Sequence, residues 1–201
     1  GVGSGLVWDS DATGEYEECR LKARVLTTPR PSFQVLEALL WEPDSGYFLL
    51  AAHLKRLADS AVYFNIPLDQ LAIAAGLAEL ALTLREASKI RLRVELDGRF
   101  ALEAEPLARA ALPQPVRVGL AREPVDSGLI WLYHKTTRRE IYEAARASRP
   151  DCDAVILWNE RGELTETCTA NLVLNLDGDW VTPPVMSGLL AGVFRGWLLN
   201  H

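Results

Sequence analysis

Residues 153–166 read DAVILWNERGELTE. The apolar first half and the polar, glycine-containing middle predict a strand, a turn and a second strand. The next residues, ANLVLNLDGDWVTPP at 170–184, predict a hairpin around Asp177-Gly178. Three further elements are predicted nearby: a strand over VRVGLA at 116–121, a helix over KTTRREIYEAARAS at 135–148 and a closing helix over SGLLAGVFRGWLL at 187–199. Residues 111–201 are therefore expected to form one α+β domain.

An earlier α+β domain is predicted over residues 31–110. The proline-containing segment ARAALPQPV at 108–116 is typical of a linker between the two domains. The predicted elements are strands at 33–42 and 46–50, helices at 51–64 and 67–87, and a hairpin over KIRLRVELDGRFALEAE at 89–105. We expect a type I′ turn at Asp97-Gly98, because this residue pair suits that turn.

Residues 1–30 form a third segment. It contains a glycine-rich opening, a predicted acidic turn DSDATGEYEE at 9–18 and the start of a helix, which the prolines of TTPRPS at 27–32 interrupt. The opening GVGSG is not followed by GK[ST], so no nucleotide-binding loop is predicted. Glu15, Glu17 and Glu18 could bind magnesium, but a solvated acidic turn is the favoured interpretation and we assign no metal.

The composition indicates a globular protein that acts on small molecules. Apolar residues make up 49% of the 201, the net charge is -6 and the arginines are scattered, which argues against nucleic-acid binding. The three cysteines show no zinc or disulfide spacing, so a reducing, cytoplasmic location is expected. No apolar run approaches the roughly 20 residues of a membrane span and no export signal is recognised, so we expect a protein that is neither exported nor membrane-spanning.

Several residues are candidates for chemistry, and each also has a plain structural interpretation. Lys135 is one of only four lysines, and its Tyr, His and Thr neighbours could lower its pKa and let it form a Schiff base; taken alone, a solvated surface lysine is the favoured interpretation. Glu166 could pair with a cationic ring nitrogen, and Arg56 could bind a phosphate bidentately. Gly188 and Gly192 begin a predicted helix, where small residues let backbone N–H groups approach a phosphate.

Together these motifs resemble the fold-type IV pyridoxal-phosphate enzymes. The resemblance is carried over residues 33–201 by HLKRL around Arg56, HKTTRR around Lys135, LTETCTAN with Glu166 and Asn171, and TPPVMSGLLAGVFR. The family includes branched-chain and D-amino-acid aminotransferases and 4-amino-4-deoxychorismate lyases, and this sequence looks most like the lyases. The first 25 residues resemble the C-terminal end of the aminodeoxychorismate synthase component I.

The resemblance implies a two-domain D-amino-acid aminotransferase-like fold, incomplete at its C-terminus, with pyridoxal 5'-phosphate as cofactor. It implies that Lys135 holds the cofactor covalently and moves protons, and that Glu166 pairs with the pyridine nitrogen. It places Arg56 and the backbone amides of Val193 and Phe194 at the phosphate, with Leu190 against the ring. Asn171 and Gly192 belong to the same cofactor-binding motifs.

The resemblance further implies that the chain releases pyruvate from aminodeoxychorismate to give 4-aminobenzoate for folate synthesis. It also implies a homodimer, with the synthase component as a fused or neighbouring domain. One residue departs from the family: Ala38 stands where the family commonly has a threonine proposed to assist pyruvate departure. A transaminase acting on branched-chain or D-amino acids and a catalytically inactive fragment are therefore the alternative hypotheses.

Overall fold

The computed structural model describes residues 11–27, 32–107 and 115–201, and the chain divides into two compact units, Gly1–Ser32 and Phe33–His201. The described part of the first unit is helix α1, Ala12–Thr27. The predicted acidic turn at 9–18 is wrong from residue 12 onward. Asp11 explains why, because its carboxylate accepts a hydrogen bond from the Gly14 N–H at 2.9 Å and so caps a helix. The glycine-rich opening lies outside the described residues.

The second unit begins with a four-stranded antiparallel sheet. Its strands are β1 (Val35–Glu42), β2 (Gly46–Tyr47), β3 (Ser88–Val94) and β4 (Phe100–Pro106), in the order β2-β1-β3-β4. The predicted strand at 46–50 is too long. Leu49 has left-handed backbone angles, with φ 52°, so the chain leaves the sheet after Tyr47 and enters helix α2.

Helices α2 (Leu50–Phe64) and α3 (Gln70–Thr83) cover one face of this sheet. The Asp69 side chain caps α3 by accepting from the Ala72 N–H at 2.9 Å. Alternate residues of β1 point into the resulting core, and the buried set includes Val35, Glu37, Leu39 and Trp41. Glu37 is thus a carboxylate at an otherwise apolar core position.

The two predicted hairpin turns differ. The loop between β3 and β4 is not type I′, because only Gly98 has a positive φ and the Glu95 N–H donates to the Arg99 carbonyl. This loop passes close to the chain before α3, where a Cβ on Gly98 would lie 2.0 Å from the Pro67 carbonyl oxygen. At Asp177-Gly178 both residues have positive φ, as a type I′ turn requires.

The second sheet contains β5 (Val118–Leu120), β6 (Ala154–Trp158) and β7 (Leu164–Thr167), with β5 parallel and β7 antiparallel to β6. Helix α4 (Glu140–Ser148) packs against it, and β8 (Leu174–Leu176) pairs with β9 (Asp179–Val181). Helix α5 spans Val193–Leu198. The predicted closing helix at 187–199 starts too early, because residues 185–187 form a 3₁₀ turn and Gly188 has φ 94°.

The helix predicted to begin at Lys135 begins instead at Glu140. Thr136 forms an isolated antiparallel bridge with Val35 of β1, so the residues before α4 are bonded to the first sheet. The Leu36 N–H donates to the Lys135 carbonyl at 2.8 Å, and the Thr137 N–H donates to the Gln34 carbonyl at 3.0 Å. We call residues 134–137 the lysine strap. The predicted boundary between domains at about residue 110 stays a prediction.

Helices in the described ranges are all too short or too polar to cross a membrane.

Candidate active site

A cavity of about 490 Å³ lies between the two sheets of the second unit. Residues from β1, α2, the lysine strap, α4, β7 and the loop before α5 line it. All eight residues for which the sequence predicts a cofactor role line this cavity: Arg56, Lys135, Glu166, Asn171, Leu190, Gly192, Val193 and Phe194. Residues separated by up to 138 positions are therefore brought to one place.

The lysine strap holds Lys135 from both sides. Its backbone is bonded to β1, and the neighbouring His134 side chain is packed against α2. His134 Nδ1 lies 3.0 Å from Ser60 Oγ, and its ring lies 4.4 Å from Tyr63 and 4.8 Å from Phe64, centroid to centroid. His134 thus packs against α2, while the Lys135 side chain lines the cavity.

The environment of Lys135 destabilises its charged ammonium form. Burial, and then the positive charge of Arg56, lower the pKa of the Lys135 amine below its ordinary value, while Glu37 and Glu166 act in the opposite direction. A neutral amine is the form that attacks carbonyl groups and accepts protons. Lys135 thus has the properties of a reactive lysine.

Glu166 on β7 is only 4% exposed and is held by three donors. Tyr142 Oη donates to Oε1 at 2.8 Å, the Leu190 N–H donates to Oε1 at 3.2 Å, and Asn171 Nδ2 donates to Oε2 at 3.2 Å. Burial raises the pKa of Glu166 to about 7, although the Tyr142 and Leu190 hydrogen bonds act to lower it. A cation placed beside this carboxylate would lower the pKa and stabilise the charged form.

Tyr142 and Arg139 also line the cavity, and the sequence analysis did not select them. The Arg139 guanidinium lies 4.6 Å from the centre of the Tyr142 ring and donates to the Cys168 carbonyl. Burial and the charge of Glu166 raise the pKa of the Tyr142 hydroxyl, so it remains a proton donor to that carboxylate. Arg139 and Tyr142 are three residues apart in the predicted helix over 135–148, and this spacing would place both side chains on one helix face. That spacing was the available sequence signal for the pair.

The loop before α5 is fitted closely around Asn171. Asn171 Nδ2 donates to the Leu190 carbonyl at 2.9 Å, in addition to its contact with Glu166. A Cβ on Gly192 would lie 1.8 Å from Asn171 Oδ1, so only glycine fits this position without displacement. Val193 and Phe194 follow directly as the first residues of α5.

Arg56 reaches the cavity from α2 and is held by Glu37. Arg56 Nε donates to Glu37 Oε1 at 2.8 Å and Nη2 donates to Oε2 at 2.6 Å, while Nη1 donates to the Ala191 carbonyl at 3.2 Å. His53 Nδ1 lies 2.7 Å from Glu37 Oε2. His53 and Glu37 were not predicted as site residues, although an acidic residue at a core position of β1 was a visible signal.

Comparison with known proteins identifies the family. Residues 34–201 match the model of the amino-transferase class IV family, and the chain belongs to that family. A provisionally named aminodeoxychorismate lyase of Schizosaccharomyces pombe is 29% identical over 167 residues, which cover 79% of this chain and 70% of that protein. The chain is accordingly a pyridoxal-phosphate-dependent enzyme with the fold-type IV architecture.

Two solved structures illustrate the fold. A provisionally assigned amino-acid aminotransferase from Mesorhizobium loti has a TM-score of 0.76 and 34% identity, covering 84% of this chain and 83% of that one. A hypothetical aminotransferase from Mycobacterium tuberculosis, in its α-ketoglutarate and PMP bound form, has a TM-score of 0.68 and 21% identity, covering 83% and 66%. The predicted fold class is confirmed.

The cavity residues fit the cofactor of this family. Lys135 offers a partly buried amine, and Glu166 offers a buried carboxylate that a ring cation would stabilise. Gly192 leaves space beside Asn171 that any side chain would fill. Among the described residues, no cluster of His, Cys, Asp and Glu is arranged to hold a metal ion.

Proposed function

We propose that this chain is an aminodeoxychorismate lyase, which releases pyruvate and 4-aminobenzoate. The observation that carries the proposal is the convergence of Lys135, Glu166 and Arg56 on one cavity. The lyase name of the fungal relative and the resemblance of the motifs around these residues support this activity over others in the family. A role in folate synthesis follows from the product.

Each cavity residue has a proposed task in holding the cofactor. Lys135 binds the cofactor carbonyl, and Glu166 pairs with the ring nitrogen. Arg56 and the backbone amides of Val193 and Phe194 hold the phosphate. Leu190 lies against the ring, while Asn171 and Gly192 shape the loop around it. When bound, the cofactor supplies an electron sink for a carbanion at the substrate carbon.

Lys135 is the proposed base. Once the 4-amino group of the substrate has displaced Lys135 from the cofactor carbonyl, the freed Nζ would take the proton from C4, and the C3–O bond to the enolpyruvyl group would then break. The departing group gains a proton and becomes pyruvate, while the ring gains its third double bond. Because aromatisation favours this elimination, correct positioning of Nζ and C4 is the main demand on the protein. The donor of the proton to the leaving group is unassigned, since Ala38 has no hydroxyl.

A transaminase is the second candidate. Two observations favour it: the 34% identity to the Mesorhizobium aminotransferase, and the methyl side chain of Ala38 in the cavity wall. Both reactions need the same lysine and the same electron sink, so these residues do not distinguish them. Homodimer formation, with the synthase component as a fused or neighbouring domain, is part of the proposal on the strength of the family resemblance.

A product assay tests the proposed function. The protein loaded with pyridoxal phosphate is given aminodeoxychorismate, and 4-aminobenzoate and pyruvate are measured together. Equal amounts of the two products, absent in Lys135→Ala, are expected. Amino transfer that requires a keto acid, without release of 4-aminobenzoate, would show that the transaminase alternative is correct.

A further inference from the structure

Glu37 is a buried carboxylate with no task in the chemistry described above. It is 2% exposed and lies between Val35 and Leu39 on the helix-facing side of β1. Its side chain faces α2, and it is not among the residues that line the cavity. A carboxylate in such a position is destabilising unless it is paired. Its partners therefore indicate why it is there.

Both partners of Glu37 come from α2. Arg56 binds both carboxylate oxygens, and His53 Nδ1 lies 2.7 Å from Oε2. Burial acts to raise the pKa of Glu37, but the hydrogen bonds from His53 and Arg56 outweigh burial and lower it. Glu37 is therefore an anion at neutral pH and holds the guanidinium by two charge-assisted hydrogen bonds.

The ion pair with Glu37 occupies only some of the N–H donors of the Arg56 guanidinium. A guanidinium has five N–H donors. Glu37 takes the Nε donor and one on Nη2, and the Ala191 carbonyl takes one on Nη1. Within the described ranges, the second N–H of each terminal nitrogen has no acceptor, and both lie beside the loop that leads through Gly192 into α5. Two free donors on neighbouring nitrogens suit two oxygens of one phosphate group.

We propose that Glu37 is a positioning residue: it fixes the Arg56 guanidinium against the 191–193 loop and thereby gives the cavity its preference for a phosphorylated cofactor. The inference rests on the proposed phosphate-binding role of Arg56. Arg56 has a long side chain with many rotamers, and without Glu37 it must lose that freedom each time it binds the phosphate. His53 supports the same geometry by holding Oε2.

Glu37 could also weaken phosphate binding, which is the opposite of the positioning effect. Its negative charge partly offsets the charge of Arg56, so its removal could strengthen anion binding through simple Coulomb attraction. Positioning and charge offset thus predict changes of opposite sign, and a measurement of the phosphate preference separates them.

The experiment compares the dissociation constants of pyridoxal 5'-phosphate and pyridoxal, which share the carbonyl and the ring and differ in the phosphate. The readout is the ratio of the two constants, followed by cofactor absorbance and tryptophan fluorescence. In Glu37→Gln we expect pyridoxal 5'-phosphate to bind about tenfold more weakly, because one charge-assisted contact to Arg56 is lost, and pyridoxal to bind as in the wild type. Thermal unfolding checks that the variant is folded.

Three variants complete the design. Glu42→Gln removes an exposed carboxylate from the same strand and should leave the ratio unchanged. Arg56→Lys should lower the preference, and Glu37→Gln combined with it should lower it no further, because Glu37 acts through Arg56. Glu37→Asp keeps the charge but shortens the reach; it should lose part of the preference, and it replaces Glu37→Gln if that variant fails to fold.

An unchanged or increased phosphate preference in Glu37→Gln would overturn the positioning role. The positioning role would also be overturned if the fold-loss of phosphate preference in the Glu37→Gln/Arg56→Lys double variant equalled the product of the fold-losses in the two single variants. Failure of the wild-type protein to prefer pyridoxal 5'-phosphate over pyridoxal is a different result, since it would contradict the proposed role of Arg56 itself.

Discussion

The Leu36 backbone N–H donates a hydrogen bond to the Lys135 carbonyl at 2.8 Å, which joins the lysine strap to the central part of the first sheet. The lysine therefore belongs to the sequence of the second predicted domain but is fixed by a strand of the first. Glu37 on that same strand holds Arg56. The position of Lys135 relative to Arg56 therefore depends on two contacts of β1, one through Leu36 and one through Glu37. β1 therefore holds Lys135 through a backbone hydrogen bond and Arg56 through the Glu37 side chain.

His134→Ala tests whether the strap needs its side-chain anchor. The variant loses the Ser60 contact and the packing on Tyr63 and Phe64, so we expect the free energy of unfolding to fall by about 2–3 kcal/mol. Urea denaturation measures this change. His201→Ala, at an exposed position on α5's C-terminal side, serves as the control and should change the free energy by less than about 0.5 kcal/mol. Equal effects of the two substitutions would contradict the anchoring role.

Gly192→Ala tests the close approach of Asn171. The φ of Gly192 is -63°, which alanine can adopt, so any effect comes from the collision with Asn171 Oδ1. We expect a loss of about 1–3 kcal/mol in stability and weaker cofactor binding. Gly196→Ala is the matched control, because its Cβ would meet nothing within 4 Å, and in a helix it should stabilise by about 0.5–1 kcal/mol. Unaltered cofactor affinity in Gly192→Ala would contradict the assignment of this loop to the site.

The raised pKa of Glu166, about 7 against an ordinary 4.5, predicts how the cofactor-free protein responds to pH. Between these values the folded protein binds more protons than the unfolded chain, so stability is fully present below pH 4.5 and falls as pH rises towards 7. The contribution is on the order of 3 kcal/mol.

Glu166→Gln should remove this part of the pH dependence. Urea denaturation of the wild type and the variant at several pH values between 4.5 and 8 gives the difference directly. Glu37, whose pKa is lowered, contributes a slope of opposite sign, but it is present in both proteins and cancels in the comparison. Parallel stability curves for the two proteins would show that burial does not raise the pKa of Glu166.

Ala38→Thr tests whether the missing hydroxyl limits elimination. Ala38 lines the cavity on β1, and a threonine there would offer a proton donor near the reacting group. We expect the rate of pyruvate release to rise at least about tenfold. This is less than a fully positioned general acid usually contributes. Ala38→Val has the same shape without the hydroxyl and should not increase the rate. An equal increase in both variants would indicate a packing effect instead.

The sequence was sufficient for the elements but not for their long-range contacts. The helix over 135–148 was placed five residues too early, because local pattern cannot reveal that Leu36 pairs with Lys135 across about 100 residues. The strand predicted at 46–50 was too long for a similar reason, since a left-handed Leu49 has no sequence signal. Asp177-Gly178 was predicted correctly as a turn because its requirement for positive φ is local.

The candidate site was accessible from the sequence to the extent that its motifs resemble a family. Residues of these motifs line one cavity, and their tasks stay predictions. Glu37, His53, Arg139 and Tyr142 were missed because they act on other side chains, and such pairings depend on the folded arrangement. Glu37 still carried a signal, since a carboxylate at a buried register position needs a partner.

Covalent trapping tests the central claim, that Lys135 is the cofactor lysine, most directly. The protein is incubated with pyridoxal 5'-phosphate and reduced with borohydride, and the added mass is located by peptide mapping. We expect a single modified residue, Lys135, and no modification of Lys55 or Lys89, which are paired with Asp59 and Glu105 outside the cavity. Modification spread over several lysines, or none at all in folded protein, would contradict it.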